Sequence, residues 1–438
     1  MATDNNNKIL NFSNKREQNE IHFDYAEREK IQGKNFLNVP NKRGPSETCF
    51  DSAERGVLRP KGNVPNLRFG GYSDEWSLNE LQKVATLSKG FGISKDQLSE
   101  NGTPCILYGE LYTKYNSEII SEVYSKTELD TSNLVKSKEN DVIIPCSGET
   151  AIDISTARCV PFNGVLLGGD LNIIRLKNQN GGFFAYQLNS KRKVDIAKVA
   201  QGVSVVHLYG EHLKRVKVAY PTYSEQKKIA DFLSLLDDRI ATQNKIIEDL
   251  KKLKVAIRDK QLNIIRKQYG LNTQVLELLD YEQPTKYIVS NTEYLDDDNL
   301  IPVLTANKAF ILGYTDEPFG IYDKGQCIIL DDFTLDCKLV NFAFKIKSSA
   351  IKILTPKNGI SLRYVYEYLN HMDLETTEHK RHYISEIEPM LIAYPESNIV
   401  INSFCDLMEI YDKKIEIENK YLQSLLSQKS YLLRNMFI

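Results

Sequence analysis

The chain has little of what marks most enzymes and membrane proteins. Its 438 residues include one Trp, and no apolar run approaches the ~18 residues that a membrane-spanning helix needs. The opening stretch, MATDNNNKILNFSNK, lacks the apolar core of a secretory signal. Seven Cys (49, 105, 146, 159, 327, 337 and 405) are odd in number and never in C-x-x-C spacing. Such scatter argues against a zinc knuckle and a disulfide framework, and fits a reducing cytoplasm. Neither sign of charge dominates: 56 Lys and Arg stand against 58 Asp and Glu, a net charge of −2. A protein basic over its whole surface is excluded. One that binds nucleic acid through a local basic patch is not, because the field that matters is the one at the contact face.

Chemical signatures are also missing. There is no G-x-x-x-x-G-K-[ST] phosphate loop, no G-x-S-x-G elbow, no H-E-x-x-H helix and no G-x-G-x-x-G after a strand. The Asn/Asp-Pro-Pro-aromatic loop of an amino methyltransferase is absent as well. His379 and His382 have the i, i+3 spacing of a helical metal pair, but Lys380 and Arg381 between them repel a cation. A basic segment that contacts phosphates or bases, or a solvated loop, suits them better, and no metal site is expected. Asp296–Asp298 and Asp331–Asp332 read as turn acids. What is plentiful is Tyr, 24 of them, a weak hint of a recognition surface.

Organisation carries more information. Residues 1–63 are polar, with little periodicity, and read as a tail or arm. Residues 64–221 mix short apolar runs with Gly, Pro and Asn, the pattern of an α+β domain. After Pro221 the period changes. Ser224 is placed as an N-cap, and no Pro or Gly follows until Gly270. This predicts one helix of roughly 65–70 Å at 1.5 Å per residue, assigned to 222–269. Its stripe is Ile229, Leu233, Leu236, Ile240, Ile247, Leu250, Ile257 and Ile264, broken by Gln243, Lys254 and Gln261. A 3.5-residue stripe sustained over five heptads is a coiled-coil seam. A second mixed region, 270–395, leads to a second long helix, 396–438, with the stripe Phe404, Met408, Tyr411, Ile415, Leu422, Leu425 and Leu432.

The second stripe is the first displaced by 175 residues. The breaks move with it, Gln243 to Glu418 and Lys254 to Lys429. Asp231/Asp406, Asp237/Asp412, Asn244/Asn419, Lys245/Lys420 and Leu250/Leu425 are identities at that offset, and Ala219-Tyr-Pro221 recurs as Ala393-Tyr-Pro395. The chain is an internal repeat. The expected fold is α+β: two globular domains separated by two long helices packed as an antiparallel coiled coil, with a pseudo-two-fold axis. Two heads at fixed separation suit a linear target such as double-stranded DNA, whose groove faces recur every ~34–36 Å. A coiled-coil scaffold whose two heads bind protein partners is the alternative.

The local motifs are specific. Val64-Pro-Asn-Leu-Arg-Phe-Gly-Gly-Tyr-Ser-Asp-Glu-Trp76, Ala200-Gln-Gly-Val-Ser204, Tyr220-Pro-Thr-Tyr-Ser-Glu-Gln-Lys-Lys-Ile-Ala-Asp-Phe-Leu233 and Leu236-Asp-Asp-Arg-Ile240 resemble the specificity subunit of type I restriction–modification systems over residues 64–438. The second helix opens on Glu396-Ser-Asn-Ile-Val, without the Ser-Glu-Gln of the first. The resemblance implies a non-catalytic bacterial cytoplasmic subunit with two target recognition domains. Its partners would be two methyltransferase subunits that bind S-adenosylmethionine and methylate adenine, and restriction subunits driven by ATP. It implies no cofactor on this chain, Mg²⁺ also belonging to the partners.

Base edges are read by Arg, Lys, Asn, Gln, Ser and Glu, while Lys, Arg and Tyr hold phosphates. In the first head these types converge at Lys89; at Tyr108, Glu110, Tyr112, Lys114 and Tyr115; at Ser147 and Glu149; and at Lys191, Arg192, Lys193 and Gln201. In the second head they converge at Thr305, Asn307 and Lys308, and at Lys380, Arg381, His382 and Tyr383.

Overall fold

The computed structural model describes residues 62–438 except 203–204, 307–309, 373 and 375–380. Most of the polar N-terminal stretch, with the candidates Asn307, Lys308 and Lys380 and also His379, therefore lies outside the described residues.

Head 1 runs β1 (Ser77–Glu80), α1 (Leu81–Val84), β2 (Ala85–Lys89), β3 (Thr103–Ile106), α2 (Glu110–Thr113), β4 (Ser125–Thr127), β5 (Asp141–Pro145), β6 (Ser147–Gly148), β7 (Arg158–Val160), β8 (Leu166–Leu167), β9 (Leu171–Leu176), α3 (Gly181–Asn189), α4 (Lys193–Lys198), β10 (Val206–His207), α5 (Gly210–Leu213) and β11 (Lys217–Tyr220). The first long helix, α6, spans Tyr223–Tyr269. Head 2 follows with β12 (Thr273–Gln274), α7 (Val275–Leu278), β13 (Leu279–Glu282), β14 (Ile301–Leu304), β15 (Ile311–Thr315), β16 (Cys327–Asp331), β17 (Cys337–Val340), β18 (Lys345–Ile346), β19 (Ile351–Pro356), α8 (Leu362–His371) and β20 (Leu391–Ile392). The second long helix, α9, spans Asn398–Asn435.

The two heads share one wiring. Head 1 has a four-stranded sheet in the order β2-β9-β5-β7, a three-stranded sheet β4-β3-β8 and a pair β1-β11. Head 2 has β13-β19-β16-β17, β15-β14-β18 and β12-β20. Even the one parallel pairing of each three-stranded sheet is repeated, β3 with β8 and β14 with β18. The duplication inferred from the helices thus extends to domains of little sequence similarity.

The rods pack antiparallel. As numbers rise along α6, their partners fall along α9: Arg239 donates to the Tyr421 hydroxyl at 2.8 Å, Gln243 Nε2 to a Glu418 carboxylate oxygen at 2.7 Å, and Lys254 Nζ to Asp412 at 2.7 Å. Gln243 and Glu418 are each other's images under the 175-residue repeat, so their contact places the pseudo-two-fold axis between them. The polar breaks at Gln243, Lys254, Glu418 and Lys429 are therefore cross-rod bonds. Ile247 and Leu250 are buried in the middle of the rods, while Ile240, Ile257, Tyr411, Ile415 and Leu422 are half-buried, as two-stranded packing leaves them.

Both rod ends differ from the sequence reading. The expected seam does not continue between the helices throughout. Ile229, Leu233, Leu236, Leu425 and Leu432 join the core of head 1 with Trp76, Phe183 and Phe184. Phe404 and Met408 join the core of head 2 with Tyr364 and Val365. Ile264 is exposed, and Leu262 and Ile265 take its place in head 2. A straight helix drifts about 20° per heptad from a 3.5-residue repeat, which turns the stripe off by its fifth heptad. The N-cap is Thr222 rather than Ser224, whose hydroxyl lies 3.2 Å from the Tyr72 hydroxyl.

Two of the motifs, 64–76 and 220–233, form one latch. Arg68 donates two 2.7 Å bonds to Glu225, which is buried in the first turn of α6, and Phe69 packs edge-on against Phe232. The far end of the chain closes on the same head. Phe437 packs against Trp76 and Phe183, and the Asn435 carbonyl accepts from the Leu67 N–H at 2.8 Å. Phe437→Ala should therefore cost about 3–5 kcal/mol, the usual range for a buried aromatic. Denaturant unfolding should locate the loss in head 1, with the rod centre and head 2 retaining their amide protection.

Candidate nucleic-acid interface

The first-head candidates separate into exposed residues and residues that belong to the scaffold. Lys89 ends β2. Its ammonium lies 5.9 Å from the centroid of the Tyr209 ring, which contacts His207 and His212. Beside them the Ser147 hydroxyl lies 3.2 Å from Asp170. Asp170 and Gly169 also form one wall of a cavity of about 830 Å³, lined in addition by Ile93, Lys95, Leu98, Leu107, Tyr108, Tyr112 and Lys114. Burial, with Tyr108, Glu149 and Asp153 nearby, raises the Tyr112 hydroxyl above its usual range. Exposed Lys95, Tyr108, Tyr112 and Lys114 thus surround this cavity, and Lys89, Phe91, Glu149 and Tyr209 are exposed on the same head. A Cβ on Gly90 would fall 1.9 Å from the Gly168 carbonyl oxygen, so the end of β2 meets the β8–β9 turn only with glycine there.

Several candidates are structural instead. Glu110 is buried and accepts from the Leu107 N–H at 2.9 Å, from Lys114 Nζ at 2.6 Å and from the Ser125 hydroxyl. It staples the loop that displays Tyr108 and Tyr112. Tyr115 is buried and stacks on Tyr124, and Ser147 is largely covered beneath β10. Arg192 pairs with Asp195 at 3.3 Å and donates to the Ile438 carbonyl at 3.1 Å. It fastens the end of α9, while Lys191 beside it lines a shallow cleft against Lys429 and Arg434. Lys193 opens α4 half-exposed, and Gln201 is exposed but bridged through its backbone to His207.

In head 2, Thr305 is buried and its N–H donates to the Phe310 carbonyl. His382 and Tyr383 are buried too. Their N–H groups donate to the Asp332 carboxylate at 3.1 and 2.8 Å, and the His382 ring lies 2.9 Å from Glu386. Lys352 stands 3.4 Å from the same Asp332. Asp332 is thus an internal clasp rather than a turn acid, whereas Asp331 caps its turn as expected by accepting from the N–H groups of Phe333 and Thr334. Arg381 stays exposed. Among the described residues no group of three His, Cys, Asp or Glu is placed to hold a metal, and no helix is long and apolar enough to cross a membrane.

Sequence reasoning missed Lys95, Asp170 and Tyr209. Nothing in their neighbourhoods sets them apart, and only the fold brings Lys95 and Asp170 to the cavity and Tyr209 to Lys89.

Residues 73–252 match the model of the type I restriction modification DNA specificity domain. The chain is thus similar, over that segment, to the specificity subunits of type I restriction–modification systems. It is 46% identical over 148 residues to the EcoR124I/EcoR124II specificity subunit of Escherichia coli, an alignment covering 31% of this chain and 36% of that protein. It is 27% identical over 157 residues to the MjaVIII specificity subunit of Methanocaldococcus jannaschii, covering 35% of this chain and 34% of that protein. The chain thus spans about a third of the length of these curated relatives. The fold likeness runs much further. The S subunit of a type I system from M. genitalium superposes with a TM-score of 0.54 at 16% identity, covering 86% of this chain and 99% of that one.

The staple under the candidate face is open to test. Glu110→Ala removes the acceptor of three donors and should destabilise the 107–115 loop by about 1–3 kcal/mol. Amide exchange should rise in that loop while β5 and β9 stay protected.

Proposed function

We propose that this chain is the DNA-recognition subunit of a type I restriction–modification complex and is itself non-catalytic. Each head reads one half of a bipartite duplex site, and the rods set the gap between the halves. The observation that carries this reading is the repetition of one head architecture about an axis that passes between Gln243 and Glu418. A duplex presents equivalent groove faces about once per ~34–36 Å turn, so two related heads on a stiff spacer match its geometry. The lysines and tyrosines of the head 1 face supply phosphate contacts and flat surfaces. Glu149 is an acceptor suited to a base amino group.

The rods supply a second surface for partner subunits. Leu235, Ile246, Leu253 and Ile264 are exposed and recur at 11- and 7-residue steps, which holds them in one line along α6. Ile410 and Tyr421 on α9 are the repeat images of Leu235 and Ile246 and are exposed as well. Both lines lie on the face crossed by the Arg239–Tyr421 bond. Exposed apolar bands of this kind mark interaction sites. A band that is symmetric about the axis suits two copies of one partner, here the methyltransferase subunits. Those subunits bring S-adenosylmethionine, and the restriction subunits bring ATP and Mg²⁺.

Selection from a library of random duplexes by the chain with its methyltransferase subunits tests the reading. Two short half-sites at a fixed gap should be enriched. A single contiguous site, or no enrichment, would overturn it in favour of a scaffold whose heads bind proteins. Lys89→Gln and Lys95→Gln together should weaken binding to all duplexes and lower the salt slope by about 0.9 for each phosphate that is no longer neutralised.

A further inference from the structure

The two seam lysines that the repeat relates do more than pair across the rods. Lys429 on α9 bonds Asp237 of α6 at 2.6 Å and Glu118 of head 1 at 2.7 Å. The same Asp237 accepts from the Tyr186 hydroxyl of α3 at 2.7 Å. Lys254 on α6 bonds Asp412 of α9 at 2.7 Å and lies 3.2 Å from Glu367 of α8 in head 2, while Arg363 of α8 pairs with both acids. Each ammonium therefore joins three elements: its own rod, the opposite rod and one head. The lysines are largely covered, and Asp237, Glu118 and Glu367 are buried.

In head 1 the connection reaches the candidate face. Glu118 is tied to β7 through its backbone carbonyl, which accepts from the Cys159 N–H at 2.8 Å, next to the buried Arg158 guanidinium. That guanidinium donates to the backbone carbonyls of Leu111 at 3.2 Å and Tyr115 at 2.7 Å. Those carbonyls flank Tyr112. Rod, acid, arginine and recognition loop are thus consecutive links.

We propose that Lys254 and Lys429 are positioning residues that fix the direction in which each head faces relative to the rod pair, and so fix the gap at which both half-sites are read together. Buried apolar contacts allow a head to rock by small side-chain shifts. A buried charge held by two carboxylates from different elements does not, because leaving either partner strands a charge. A base step is ~3.4 Å, so a tilt that moves a head face by a few ångströms changes the gap by one. This inference rests on the reading of the chain as a two-headed DNA subunit.

The test uses the full chain with its methyltransferase subunits. Lys429→Met and Lys254→Met are compared with Lys429→Arg and Lys254→Arg, which keep the charge. Since Lys429→Met takes the ammonium from Glu118 and Asp237, whereas Arg363 still pairs with Glu367 and Asp412 after Lys254→Met, the neutral triple Glu118→Gln, Asp237→Asn, Lys429→Met is included as a version that preserves folding. Two readouts are taken. The first needs no DNA: amide exchange in residues 108–115 should rise in the Lys429→Met and triple variants, while the rod centre stays protected. The second is gap selectivity, the affinity for the native gap over gaps one base pair longer or shorter. It should fall about tenfold in the Met and triple variants, with half-site sequences unchanged, and recover in the Arg variants. Folded Met or triple variants with native gap selectivity would overturn the proposal, as would unchanged loop exchange in the triple variant. A native complex that selects no bipartite duplex would instead remove the functional reading, with the exchange result still judging the joint.

Discussion

The architecture depends on the lengthwise burial of two stripes that neither helix can hide alone. Ile247 and Leu250 are worth roughly 1.5–3 kcal/mol each when removed from water. Apolar contact alone does not choose a register, because a slide of one heptad restores a similar surface. Gln243 against Glu418 at the axis, with the lysine pairs on either side, makes a slide costly. Each slide would bury an unmatched polar group.

The rods are also parts of the heads. The first turns of α6 and the last turns of α9 complete the head 1 core, and the reverse ends complete head 2. Head 1 is thus closed by residues from opposite ends of the described chain. The Arg68–Glu225 latch and the Phe437 plug are the clearest cases, since both seal head 1 with segments distant along the chain. A seam that looks continuous in sequence is divided in space between helix pairing and domain cores.

How much of this was legible follows from how each feature is encoded. The α+β class, the two rods, their antiparallel sense and the repeat follow from periodicity, because a 3.5-residue stripe and a constant offset are local properties of sequence. The outer turns escaped, since a buried Leu233 reads the same whether it faces a helix or a sheet. The face on head 1 was half legible. Lys89, Tyr108, Tyr112 and Glu149 stand out by residue type and are exposed on head 1, with Tyr108 and Tyr112 lining one cavity. Glu110, Tyr115, His382 and Tyr383 have the same residue types and are internal, because a carboxylate that holds three donors of its own loop and sheet has the same composition signal as one that reads a base. Lys429 is the instructive case. Its identity with Lys254 at the repeat offset was visible, but not that the pair ties rods to heads.

The uneven divergence of the repeat follows from the same constraints. Between β3 and β4 head 1 has residues 107–124 where head 2 has only 305–310, and β6 and β10 form a strand pair that head 2 replaces with the Asp332 clasp. These differences fall in the loops that build or support the candidate faces. Lengthening a loop costs only the logarithm of its length. Changing a rod by one residue would rotate every later seam position by ~100° and part the axial pair. Variation therefore collects in the loops around the candidate face, while the spacer keeps both its offset and its polar joints.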